Sequence, residues 1–156
     1  MDKRTVLWGF LATLVLTTSL RLCQALQLTR LDLPYLLGTG LTSDRDRAKL
    51  VGTGVHFLNG WWLAFLYAAY FHALGRATIW LGALMGLLHA AFVLAIVVPS
   101  LPAAHPRMAS ETRGPDPTRL LEPPGFLALN YGKQTPVVTI AAHVVYGMIL
   151  GGLCRP

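Results

Sequence analysis

The sequence predicts an all-α fold, an integral membrane bundle of four helices with two long loops on one face. Three observations point there. Only 13% of the 156 residues are charged, against about 25% in an ordinary soluble domain. Apolar residues make up 54%, and mean hydropathy is +0.52. Four apolar segments are each long enough to cross about 30 Å of hydrocarbon, which takes about 20 residues. Helices are the form open to them, because every backbone polar group in lipid must be satisfied within its own segment.

The first segment covers 5–26. It follows Met1-Asp-Lys-Arg, the charged-then-apolar order of a secretory signal, but no small-x-small cleavage site follows. Leu20-Arg-Leu-Cys23 also puts Arg21 and Leu22 where a lipobox needs small residues. The segment therefore reads as a retained helix. The second covers 51–74, with a helical start near Asp44. Ser43 is the expected cap, and Asp44 and Asp46 fall in the first turn, where the helix dipole favours anions. A tight hairpin, Gly75–Thr78, leads to the third segment, 79–98. The fourth covers 136–153.

The intervening loops are 27–50 and 99–135, so residues 1–156 form one membrane domain. The first loop is apolar, with Asp32, Pro34 and Gly38-Thr-Gly40. The second carries Pro99, Pro102, Pro106, Pro115, Pro117, Pro123 and Pro124. That density argues against a regular helix or a central strand. Its last part, Gly125–Gly132, is apolar again and is expected to lie on or dip into the membrane.

Four spans put both long loops on one face. That face holds nine basic residues, Arg21, Arg30, Arg45, Arg47, Lys49, Arg107, Arg113, Arg119 and Lys133; the other holds four, Lys3, Arg4, Arg76 and Arg155. The positive-inside rule places the long loops in the cytoplasm. The net charge of +6 is dispersed rather than gathered on one face, which excludes a nucleic-acid reader. Cys23 and Cys154 fall at opposite membrane faces and are not expected to pair. Trp8 and Trp80 sit at the short-loop interface, where aromatic anchors belong. Trp61 and Trp62 are deeper. No span contains a carboxylate, which argues against a proton-coupled transporter of the usual kind. There is no Gly-x-Ser-x-Gly and no phosphate-binding loop.

The candidates for chemistry are histidines. His72 and His105 fall near interfaces, whereas His56, His89 and His143 lie inside spans, where ionisable groups are functional candidates. By helical rise they sit about 7, 13 and 9 Å from the long-loop face, all in one half of the bilayer. Gly82-x-x-x-Gly86 and Gly147-x-x-x-Gly151 are small-residue faces that let helices approach closely. His89 continues the first face and His143 the second, so the two imidazoles meet if the faces meet. His-x-x-x-Gly recurs as His56/Gly60 and His143/Gly147. Arg21, Asn59 and Tyr146 fall on the same polar stripes, and Arg21 is also placed to snorkel to the interface. Three roles are open to the histidines. They can be interhelical hydrogen-bonding groups, ligands to haem or a transition metal, or the polar part of a quinone or lipid-headgroup site.

Gly82-Ala-Leu-Met-Gly-Leu-Leu-His89 and His143-Val-Val-Tyr-Gly-Met-Ile-Leu-Gly151 resemble the last two spans of small uncharacterised, YagU-like bacterial inner-membrane proteins. The resemblance implies a multi-pass protein of the bacterial inner membrane, with no assigned reaction and no catalytic residue to carry over. With four spans in 156 residues there is no room for a soluble catalytic domain. The leading expectation is a small accessory or scaffolding subunit. It would pack through its glycine faces against other membrane subunits or a second copy. A haem- or metal-binding protein using His89, His143 and His56 is the alternative, and an oligomeric transporter or channel the third.

Overall fold

Residues 3–110 and 121–154 are described by the computed structural model. Arg113, Pro115, Pro117, Arg119 and Arg155 lie outside them. Six α-helices form, and no strand occurs among the described residues; Met108 and Leu121 make an isolated bridge. The helices are α1 (Lys3–Ala25), α2 (Leu33–Thr39), α3 (Arg45–Ala73), α4 (Ile79–Phe92), α5 (Val98–Ala104) and α6 (Thr135–Leu153). A π turn, Val93–Val97, joins α4 to α5, so Ile79–Ala104 is one continuous apolar helix. A 3₁₀ segment, Phe126–Tyr131, precedes α6.

Three of these helices are long and apolar enough to cross a membrane: Lys3–Ala25, Ile79–Ala104 and Thr135–Leu153. Helix α3 is longer than any of them but is not among the three. His56, Asn59, His72 and its tryptophans and tyrosines dilute its leucines and alanines.

Three local expectations are corrected. The cap of α3 is Asp44, not Ser43: the Asp44 carboxylate accepts from the Arg47 N–H at 2.8 Å. The loop 27–50 contains α2, capped by Asp32 (Tyr35 N–H at 3.0 Å) with Pro34 in its first turn, both recognised start signals. The third apolar helix does not end at Val98. It runs through Pro99 and Pro102 to Ala104. The π turn explains this. The Val98 N–H bonds to the Val93 carbonyl, one residue further back than in an α-helix. The shifted register just ahead of Pro99 relieves the clash between a proline ring and the preceding turn, and Ser100 Oγ donates to the Val97 carbonyl at 2.8 Å.

Glycines set the packing. A Cβ at Gly82 would overlap the Gly147 carbonyl, and one at Gly86 would stand 2.9 Å from Val144 Cα. Helices α4 and α6 thus touch backbone to backbone. Helix α2 lies on the start of α3 in the same way, with Gly38 against Ala48 and Gly52 against Pro34. Helix α1 packs on both α6 and α3, and Gly60 faces the Thr13 side chain. The long helices are therefore joined in the order α3, α1, α6, α4. The row does not close: α3 and α4, consecutive in sequence, share no extensive contact. A cleft is left between them.

Both long loops meet at one end of the bundle. His105 Nε2–H donates to the Leu36 carbonyl at 3.0 Å, while its Nδ1 accepts from the Arg107 N–H at 3.2 Å. Arg107 reaches the Thr39 carbonyl. Arg30 pairs with Glu122 at 3.1 Å and bonds the Asn130 carbonyl. Thr29 and Thr135 hydroxyls are 2.7 Å apart. The stretch 125–132 holds Leu127 and Ala128 in the left-handed region, at φ 54° and 58°. This costs about 1–3 kcal/mol per residue. Asn130, bonding Pro123 through its side chain and Pro124 through its N–H, and Tyr131, donating to the Glu122 carbonyl at 2.6 Å, hold the turn in place. Ala128 and Tyr131 are buried while Phe126 and Leu129 are exposed.

Candidate functional site

The cleft between α3 and α4 encloses a cavity of about 270 Å³. Its side walls are His56, Asn59 and Leu63 on α3 and His89, Phe92 and Val93 on the opposite helix. Leu16 of α1 and His143 and Tyr146 of α6 form the back. Leu33 and Leu37 of α2 and Leu101 of α5 cover the loop end. Trp62, Phe92 and Val97 stand at the rim, 65%, 54% and 37% exposed. Among the described residues no Lys, Arg, Asp or Glu lines the cavity.

The polar groups are placed by helical register. On α3 the inward stripe is Ala48, Gly52, His56, Gly60, Ala64, Tyr67 and Phe71, at the three-and-four spacing of one helix face. On the other side, the close approach of α4 and α6 brings His89 and His143 together, edge to face with ring centroids 4.7 Å apart. His143 Nδ1–H donates to the Thr139 carbonyl at 2.8 Å. That fixes the tautomer and leaves Nε2 as an acceptor. His89 Nδ1 lies 3.4 Å from the Tyr67 hydroxyl. Tyr146 packs edge-on against Tyr67 at 5.6 Å and donates to the Gly60 carbonyl at 2.7 Å, tying α6 to α3.

His56 is different. It is only 6% exposed, its Nε2 is buried, and that nitrogen has no hydrogen-bond partner among the described residues. Buried polar atoms are paired in the great majority of cases, so an orphan asks for an explanation. Thr139 Oγ1 is also buried without a partner.

The sequence-derived polar cluster divides. Asn59 and Tyr146 reach the cavity. Arg21 does not: it is exposed, beside a separate void of about 10 Å³ that also touches Gln24, Asp32 and His56. Asp32, a possible ion partner for Arg21, caps α2 instead. Gly82, Gly86, Gly147 and Gly151 face one another within the chain.

The three-histidine metal set is not assembled; among the described residues no three His, Cys, Asp or Glu side chains are placed to hold a metal ion. Haem between His89 and His143 meets a geometric obstacle. Two nitrogens about 2 Å from the iron on opposite sides would stand about 4 Å apart, with the rings pointing at each other. These rings instead touch, with centroids only 4.7 Å apart, which leaves no room for iron between them. No disulfide joins Cys23 and Cys154.

Tyr67 and the lining residues Phe92, Val93 and Val97 were missed in the sequence. Tyr67 carried a signal, because it continues the stripe of His56 and Gly60. Val97 carried none, because the π turn sets which way it faces. Comparison of the chain with protein-family models, curated proteins and solved structures found no match.

Proposed function

We propose that the chain is a four-span protein of the bacterial inner membrane that binds a small, mostly apolar molecule in the cleft between α3 and α4. Helix α3 is the fourth span in this reading. Its length of 29 residues and the outward exposure of Leu50, Leu58, Trp62, Leu66 and Tyr70 support that placement. The membrane then faces the rim of the cleft, and a ligand enters from the lipid. One observation carries the function: an apolar cavity of about 270 Å³ lined by three histidines, His56, His89 and His143. Apolar pockets with a few convergent polar groups are the usual form of a small-molecule site.

An accessory role in a larger complex is compatible with this reading, but it would need another docking surface. The glycine faces that suggested it are used inside the chain.

The test is equilibrium binding of prodan, an uncharged fluorophore, to the full chain in phosphatidylcholine nanodiscs. The expected result is a saturable component of one probe per chain, beyond partitioning into empty nanodiscs, that disappears in Val97→Trp. Partitioning alone, identical in both proteins, would overturn the reading.

A further inference from the structure

Resting on the reading of the cleft as a ligand site, we infer that its occupant is an isoprenoid quinone. Four features of the cavity narrow the choice. The first is charge: among the described residues the lining has no Lys or Arg. A phospholipid or fatty-acid headgroup would arrive there without a counter-charge, at a desolvation cost nothing offsets. The head must be neutral.

The second is the placement of the polar groups. His56 projects from α3, and the His89–His143 pair stands on the opposite wall and back. Polar groups therefore meet the occupant from two sides. A quinone carries two oxygens on opposite edges of one ring and can engage both. A lipid with a single hydroxyl reaches one side and leaves the other orphaned.

The third is hydrogen-bond polarity. The Nδ1–H of His143 is committed to the Thr139 carbonyl, so its Nε2 accepts. His56 lines the cavity, and as a neutral imidazole it can donate from one nitrogen or accept at the other. It can serve a quinone carbonyl or, by exchanging tautomer, a quinol hydroxyl.

The fourth is size. A cavity of about 150 Å³ holds benzene. One of about 270 Å³ holds a substituted single ring and the start of a tail. A porphyrin, four pyrroles across, is far larger. The remaining tail leaves past Trp62, Phe92 and Val97, which are exposed at the rim. The π turn that carries Val97 of this rim is itself a feature found often at functional sites.

The experiment is direct binding of tritiated decyl-ubiquinone and, separately, tritiated dioctanoylglycerol to the full chain in phosphatidylcholine nanodiscs, alongside the prodan assay. Decyl-ubiquinone is expected to bind one per chain and to displace prodan. Its affinity should fall at least tenfold in His56→Phe and in His89→Phe. The rim variant Val97→Trp, which leaves all three histidines in place, should abolish binding and guards against a misfolded histidine variant. Saturable prodan or dioctanoylglycerol binding without quinone binding overturns the quinone assignment and leaves the ligand site standing. Quinone binding that survives all three substitutions overturns it as well. No saturable binding of any probe overturns both.

Discussion

Replacing His56 by leucine should make the ligand-free protein more stable. The imidazole is 6% exposed and its Nε2 has no partner among the described residues. A buried polar group left unsatisfied costs about 1–3 kcal/mol, whereas an apolar group of similar shape avoids that penalty. Leucine is close to histidine in volume and keeps the contacts to the neighbouring helices. The expected gain is therefore about 1–3 kcal/mol. The matched control is His143→Leu, which loses the bond to the Thr139 carbonyl and the edge contact with His89. It should be less stable by about 1 kcal/mol. The assay is reversible unfolding of lipid-stripped protein in mixed micelles, titrated with dodecyl sulfate and followed by far-UV circular dichroism. Bound ligand should reverse the order: at 100 times Kd it adds about 2.7 kcal/mol to the wild type and much less to His56→Leu. If His56→Leu is instead destabilised in the stripped state by more than about 1 kcal/mol, the imidazole has a native partner and the argument from its isolation fails.

Other substitutions probe the frame around the cleft. Gly86→Ala forces a Cβ to within 2.9 Å of Val144 Cα and into the His143 carbonyl; overpacking of this kind should cost about 1–3 kcal/mol in the same unfolding assay, and a cost below about 0.5 kcal/mol would mean that α4 and α6 are not in backbone contact. Asp44→Ala should lose about 1 kcal/mol as the cap of α3 is removed, with Ser43→Ala near neutral; the reverse order would restore Ser43 as the cap. The Tyr131 phenol is pushed up to about 12, chiefly by burial and next by Glu122, with Arg30 opposing. Because the folded value lies above the ordinary value of about 10, this contribution to stability is complete below pH 10 and is lost as pH rises through 12. The ultraviolet titration difference between wild type and Tyr131→Phe should show one phenol ionising near 12, and a midpoint near 10 would contradict its burial.

Much of the frame is readable from residue spacing. The apolar run 136–153 matches α6, Thr135–Leu153, to within a residue. Gly82, Gly86 and His89 share one helical face, as do His143, Gly147 and Gly151. Local periodicity therefore carries the information that the two imidazoles come together once the glycine faces pack. The cleft is another matter. It exists because α3 and α4, neighbours in sequence, are each packed on a different partner, and no local pattern encodes that choice. Pro99 and Pro102 argue for a helix end at the residue level; the π turn that accommodates them has no sequence signature. The loop cap is invisible for a similar reason, since His105 and Leu36, or Arg30 and Glu122, are joined across long stretches of chain. Helix α2, by contrast, was legible in Asp32 and Pro34 and was hidden only by its brevity.

The most direct test of the cleft as a binding site is native mass spectrometry of the full chain released in gentle detergent from the membrane in which it was made. Wild-type protein should carry one apolar small-molecule adduct per chain. Val97→Trp, with the rim filled, should fly without it. Bare wild-type protein, or an adduct retained by Val97→Trp, would contradict the assignment and return the three histidines to the role of interhelical hydrogen-bonding groups.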